Sequence, residues 1–168
     1  MGKRILLFFT LLMTAGYGFT SSLSFQIVQH NDSLSTVCQS AYVIEDELMN
    51  YFFDNGFIVS NAQAALSSST EQDKKLWCDG YYEASDGCFD DFVQIHIYFG
   101  KAADKEEKVA LGLIDKISWS ITSIRTGKTL EASDKAVKKP MGADSESNVR
   151  EFASDFASHI KQVIKNRV

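Results

Sequence analysis

The spacing of apolar residues changes repeatedly along this chain, and those changes limit the folds that it can adopt. An apolar residue at every second position is typical of a half-buried strand, and one at every third or fourth position is typical of an amphipathic helix. The clearest strand covers residues 93–99, where apolar Val93, Ile95, Ile97 and Phe99 alternate with Gln94, His96 and Tyr98. The clearest helix has a wide apolar stripe formed by Val149, Phe152, Ala153, Phe156, Ala157, Ile160, Val163 and Ile164.

The remaining segments follow the same two periods. Strands are predicted at residues 23–29, 57–59, 114–122 and 129–136, with a hairpin turn at 125–128. We expect strand 57–59 to be central and residues 61–70 to be mainly loop. A helix is predicted from Ser35 to the Asn55-Gly56 pair, with an apolar face of Val37, Ala41, Ile44, Leu48 and Phe52. A further helix is predicted at 71–85, although Gly80 weakens it; its inward residues are Leu76, Trp77, Tyr81 and Ala84.

The order of these segments predicts the fold class. Strands connected through helices favour parallel pairing, whereas the later hairpin adds antiparallel strands. The predicted class is therefore α/β, or α+β, with a mixed sheet of about five strands and three helices in the order β-α-β-α-β-β-β-α.

The amino terminus has the three-part pattern of a secretory signal peptide. Lys3 and Arg4 precede an apolar run at residues 5–15, and small and polar residues follow it. The run is too short for a helix that crosses a bilayer, which needs roughly twenty residues. We expect residues 1–22 to be a cleaved signal peptide, with cleavage after Gly18 or near Ser22, and residues 23–168 to be one globular domain. The alternative is a buried amino-terminal helix.

Charge and composition exclude several classes of function. Removing the signal leaves 15 basic and 22 acidic residues, a net charge of −7. An acidic domain lacks the clustered Lys and Arg that nucleic acid requires, and its charge disfavours anionic lipid surfaces. No later segment is long and apolar enough to span a membrane. With the signal peptide described above, the chain is expected to be periplasmic or secreted.

Three cysteines, Cys38, Cys78 and Cys88, form an odd set for an oxidising compartment. One disulfide and one free thiol is the arithmetic expectation, and Cys78 with Cys88 is the candidate pair because they are closest in sequence. Disulfide geometry is unfavourable if Cys78 lies on a helix. The alternative is that all three are reduced and partly buried.

The search for catalytic and metal motifs gives no candidate. His30, His96 and His159 are far apart in sequence, no serine lies in a nucleophile elbow, and Cys38 has no identifiable base. The densest acidic cluster is Asp90 and Asp91 with Glu83 and Asp86. Carboxylates suit Ca²⁺, but their spacing does not match an EF-hand loop, so we expect a solvated entry to a strand. We therefore predict no catalytic residue, no metal ligand and no cofactor, and no binding residue can be assigned.

One polar surface has two interpretations. Gln94, His96 and Tyr98 share a strand face, and Ser118, Ser120 and Thr122 share the face of the next strand. Together they form either an open sheet surface suited to docking a partner, or a face that only water covers.

Two short segments of the sequence resemble segments of small bacterial envelope modules of the TolB amino-terminal domain and penicillin-binding-protein activator type. One is the end of a helix followed by Gly56 and the strand Phe57-Ile58-Val59, and the other is the Thr126-Gly127 turn followed by Leu130. Unlike many lipoproteins, the chain has no cysteine directly after the apolar run. The resemblance implies a domain that binds a partner and is not an enzyme.

These observations lead to one expected function and two alternatives. We expect an exported, non-enzymatic envelope protein that binds another protein. A small-ligand carrier or sensor would need a large apolar cavity. A hydrolase would need His and carboxylate or thiol side chains that converge in one cleft.

Overall fold

A computed structural model describes residues 21–31, 34–100 and 108–166. Five strands form its sheet: β1 (Ser22–His30), β2 (Ile58–Leu66), β3 (Asp91–Phe99), β4 (Ile114–Ser123) and β5 (Thr129–Ala136). Three helices accompany them: α1 (Gln39–Asp54), α2 (Thr70–Asp86) and α3 (Glu146–Lys165). A short 3-10 helix, Leu111–Leu113, precedes β4. Almost all of the expected signal peptide lies outside the described residues.

The strands form one mixed sheet in the order β2-β1-β3-β4-β5. Strand β1 is parallel to both of its neighbours, and the β3–β4 and β4–β5 pairs are antiparallel. This arrangement confirms the predicted class, the number of strands and helices, and their order. None of the helices in the described ranges has the length and apolarity needed to cross a bilayer.

Helices α1 and α3 cover one face of the sheet and enclose the main core. Phe25, Ile95 and Ile121 of the central strands are at most 1 % exposed and pack against the apolar stripes of both helices. The α3 stripe packs on this face as predicted, with Phe152 and Val163 only half-buried, and a capping box between Ser145 and Asn148 begins that helix. Such a box satisfies backbone N–H groups that the first turn leaves without partners.

Helix α2 packs on the opposite face, above β1 and β3. Residues Gln26 and Gln94 lie side by side on this face, as the β1–β3 register shows. Because α2 covers them, Gln94 is only 2 % exposed, and His96 and Tyr98 are half-buried. The expectation of an open polar surface on β3 is therefore wrong, whereas Ser118 and Ser120 on β4 stay partly exposed.

The prediction for the second strand is also wrong in position and length. Strand β2 lies at the edge of the sheet, and residues 61–66, expected to be loop, belong to it. Ala62 and Ala64 are buried and Gln63 is exposed, so the segment alternates as a strand should. Pairing with β1 and packing against α1 hold the segment as a strand although its side chains are small and polar.

Candidate functional site

Two histidines and one carboxylate converge between α2 and the sheet. His30 ends β1, His96 lies in β3, and Asp73 lies in the first turn of α2. His30 Nε2 is 2.8 Å from His96 Nδ1, and Asp73 Oδ1 is 3.6 Å and 4.0 Å from those two nitrogens. We call these three residues the His–Asp cluster; within the described ranges it is the one group of three such side chains close enough to share a metal ion.

A chain of buried amides fixes the ring of His96. Gln94 donates through Nε2 to Gln26 Oε1 at 3.1 Å, which leaves Gln94 Oε1 as an acceptor. His96 Nε2 lies 3.0 Å from that oxygen and therefore donates to it. Its other nitrogen, Nδ1, then carries a lone pair directed at His30 and Asp73. Outer hydrogen bonds of this kind set the tautomer of metal-binding histidines.

The cluster is shielded from solvent but not sealed. The side chains of His30, Asp73 and His96 are 17 %, 25 % and 16 % exposed. Burial lowers the pKa of His96, and the opposing effect of the Asp73 charge does not cancel it. His96 is therefore a neutral imidazole at neutral pH, which is the form that binds metals. Asp73 Oδ1 is buried and makes no hydrogen bond.

Neighbouring side chains restrict the His30 ring and place the positive charge of Lys116 near the cluster. The Tyr98 ring stacks on His30 with ring centres 4.3 Å apart. Lys116 Nζ lies 4.3 Å from the centre of the Tyr98 ring. Beside His96, Lys116, Ser118, Ser120 and residues 132–134 line a shallow depression of about 420 Å³. The cluster therefore lies at the border between the covered and the open part of this sheet face.

Sequence reasoning missed this site because its members are remote in the chain. His30 and His96 are 66 positions apart, and Asp73 belongs to a helix face with no motif. One signal was present: parallel pairing of the first and third strands, with polar residues on the same face of each, brings His30 and His96 together. His159 is not part of the cluster; its Nε2 lies 2.7 Å from Glu131 Oε1.

A second candidate site is a groove between β5 and α3. Two adjoining cavities, of about 290 and 250 Å³, share Lys135, Phe152 and Asp155 in their walls. The apolar part of the lining is formed by Leu111, Ile117, Trp119, Val137, Phe152 and Phe156. We call this feature the β5–α3 groove.

A hydrogen-bonded group closes one end of the groove. Trp119 Nε1 donates to Glu131 Oε1 at 2.6 Å, and His159 contacts the same oxygen. Burial by itself raises the pKa of Glu131, but these two hydrogen bonds outweigh it and leave the pKa lowered. Glu131 is therefore ionised at neutral pH and orients the indole ring that forms the groove wall.

The four acidic residues singled out in the sequence lie in different surroundings. Asp90 Oδ2 accepts hydrogen bonds from the backbone and side chain of Ser22, at 2.9 and 2.8 Å, and so joins the starts of β1 and β3. Asp91 is fully buried, so the expectation of a solvated pair is wrong for that residue. Glu83 and Asp86 are exposed on α2.

The three cysteines carry free thiols in the structure. Cys38 is buried and precedes α1, and burial raises the pKa of its thiol. Cys78 lies within α2, and Cys88 follows the end of that helix with a positive φ of 58°. A helix rises about 1.5 Å per residue, so pairing them requires the last turns of α2 to unwind. The Cys78–Cys88 disulfide stays a prediction.

Several solved structures resemble the fold at low sequence identity. TolB from Acinetobacter baumannii is 13 % identical, with 86 % of this chain and 28 % of that chain covered and a TM-score of 0.42. A lipoprotein of Neisseria meningitidis is 10 % identical, with 84 % and 99 % covered and a TM-score of 0.45. A protein of Xanthomonas campestris is 9 % identical, with 87 % and 86 % covered and a TM-score of 0.48.

The expected resemblance to TolB-type modules is thus found, and at these scores it concerns the arrangement of elements alone. No curated protein matches the chain in sequence. A family model described as "Uncharacterised protein" matches residues 22–165, and the chain belongs to that family.

Proposed function

We propose that this protein is exported and acts, without catalysis, by binding another protein through the β5–α3 groove. Export is supported by the charged, apolar and small-residue pattern of residues 1–22. Cleavage after Gly18 is the better of the two alternatives, because it leaves intact the Ser22 contacts that join β1 to Asp90. The mature protein then works in the periplasm or outside the cell.

The observation that carries the proposal is the position of β5 beside an apolar groove. Strand β5 is the last strand of the sheet, and its outer edge pairs with no other described strand. Most of its side chains are exposed. An edge strand offers a row of backbone donors and acceptors to an extended segment, and adjacent pockets select alternate side chains of that segment.

The chemistry of the groove defines the partner segment. Phe152 of α3 is half-buried and lies in the wall of both cavities, so it is the natural contact for an apolar side chain. Lys135 and Lys138 flank the groove on the β5 side, and Glu151 and Asp155 on the α3 side. We expect an extended segment with apolar residues at alternate positions and charges of both signs between them.

The small-ligand alternative receives less support. The described cavities are surface features, and the core residues between the sheet and helices α1 and α3 form one packed cluster. Carriers hold most of a ligand's surface inside a pocket.

One observation favours the hydrolase as a second candidate. The His–Asp cluster meets part of its requirement, since two imidazoles and a carboxylate converge beside a depression. Complementation of a host strain that lacks the gene with single Ala variants of these histidines separates this candidate from partner binding.

Affinity capture tests the proposal. Tagged mature protein is incubated with the envelope and secreted fractions of its own host, and bound proteins are identified by mass spectrometry. Phe152→Ala should lose the specific partner because it removes the apolar wall that both cavities share. Phe53→Ala is the matched control, because Phe53 is 72 % exposed on α1, outside the groove.

The comparison between these two variants decides the result. Loss of one partner in folded Phe152→Ala, with retention in Phe53→Ala, supports the groove. Equal capture by both variants contradicts it.

A further inference from the structure

The three ligand atoms of the His–Asp cluster have the separations of a metal site. Ligand atoms about 2.0–2.1 Å from a tetrahedral Zn²⁺ lie roughly 3.3 Å from one another. The separations of 2.8, 3.6 and 4.0 Å lie on both sides of that value. Small rotations of the three side chains are enough to equalise them around one ion.

The donor types also suit a particular class of cation. Two imidazole nitrogens and one carboxylate oxygen are borderline donors, which first-row transition metals such as Zn²⁺ accept. Ca²⁺ and Mg²⁺ prefer sites made of oxygen ligands. The ligand set therefore discriminates between the two classes of cation.

A second, independent observation points to a ligand at this place. Asp73 Oδ1 is buried against both histidines and has no hydrogen-bond donor. A buried carboxylate oxygen without a partner is costly, and a cation bound between it and the imidazoles removes that cost.

The residues around the cluster are arranged as a supporting layer. Gln26 and Gln94, both at most 5 % exposed, fix His96 so that Nδ1 is directed at the centre of the cluster. Tyr98 stacks on His30 and restricts its ring. Metal sites depend on such outer contacts, whose loss typically lowers affinity about 10–100-fold.

From these contacts we propose that His30 Nε2, His96 Nδ1 and Asp73 Oδ1 bind one divalent transition-metal ion, with Zn²⁺ as the best match. The fourth position is left for water or for a donor from a bound partner. The ion connects the first turn of α2 to β1 and β3. Because it binds the folded state, it stabilises the layer formed by α2.

One nearby positive charge repels a bound cation, so removing that charge should strengthen metal binding. Lys116, held over Tyr98, adds a positive charge close to the cluster. Replacing it with Met keeps an apolar stem against Tyr98 and removes the charge. Lys116→Met should therefore bind Zn²⁺ more tightly than the wild type, by a few-fold.

Calorimetric titration of chelator-treated mature protein with Zn²⁺ tests the proposal. We expect one ion per chain, no uptake of Mg²⁺, and a Tm that rises by several degrees with Zn²⁺. Asp73→Asn and His96→Gln each change a ligand, so they should weaken binding by more than the roughly 10–100-fold that is typical of losing an outer contact, and they should lose the Tm increase. His159→Gln, a histidine bonded to Glu131 outside the cluster, should behave as wild type.

Two further measurements keep the test decisive. A Cys78→Ser/Cys88→Ser variant should bind Zn²⁺ normally, which excludes the exposed thiols as ligands. In wild-type protein, Zn²⁺ should shift the imidazole NMR signals of His30 and His96 and leave those of His159, so the result does not depend on variants that fail to fold. No uptake of Zn²⁺, or equal uptake by Asp73→Asn and His96→Gln, overturns the proposal whether or not the groove binds a partner.

Discussion

Gly80 shows how a single residue lets α2 approach the sheet. A Cβ atom at this position would lie 2.7 Å from Phe92 Cζ and 3.3 Å from Gln26 Oε1. The Phe92 ring is fully buried and is held edge-on by Trp77 and Tyr81, so it cannot move aside. The glycine that weakens the helix in isolation is the residue that the close packing of α2 requires.

Gly80→Ala is therefore expected to destabilise the protein despite its better helix propensity. Alanine gains about 1 kcal/mol in a helix interior, whereas forcing a methyl group into a packed site costs about 1–3 kcal/mol. Chemical denaturation should show a net loss of roughly 1 kcal/mol. The exposed neighbour Cys78 supplies the control, because Cys78→Ala should leave stability nearly unchanged. A more stable Gly80→Ala variant would contradict the close packing of α2.

The His–Asp cluster shows what residue patterns do not reveal. The alternation in β3 places His96 on the polar face. Parallel pairing of β1 with β3, which is of the kind that the element order favours, then brings His30 close to it. The separation of Asp73 from both histidines is set by the position of α2, and no spacing in the chain encodes it. Chemistry assembled from three elements is therefore visible only when the elements are packed.

At the level of elements, α3 is the helix that the sequence defines best. Its stripe has a clear helical period, and Val149, Ala153, Phe156 and Ile160 are buried as predicted. Strand β2 is poorly marked in the sequence because Asn and Ala, which make up four of its nine residues, are uncommon in strands. Burial against α1 and pairing with β1 determine its structure, and neither can be read from the segment itself.

Phe156→Ala should lower the free energy of unfolding by about 3–5 kcal/mol, the usual cost of emptying a buried phenylalanine site. Phe156 is 7 % exposed and meets the Trp119 ring edge-on at 5.1 Å. Phe53→Ala on α1 is the matched control, because a residue that is 72 % exposed should contribute at most about 0.5 kcal/mol. Denaturant unfolding measures both. Equal midpoints would mean that α3 does not pack on the sheet as described.

At the level of the whole molecule, the helices cover the sheet unequally. Helices α1 and α3 form a full layer on one face, whereas α2 covers only the β2–β1–β3 side of the other. The β4–β5 part of the sheet therefore carries an edge that pairs with no other described strand, the β5–α3 groove on one face and a polar depression on the other. The candidate surfaces lie where the helical layers end.

The central proposal is that the protein acts by binding a partner, without catalysis. The most direct measurement is complementation of a host strain that lacks the gene, using folded Phe152→Ala, Phe53→Ala and single Ala variants of His30, His96, His159, Cys38 and Asp91. If the protein acts by partner binding, Phe152→Ala should show a large loss, Phe53→Ala no loss, and the polar variants partial losses. A folded polar variant with a complete loss of function and unaltered partner capture would contradict the account and indicate an enzyme.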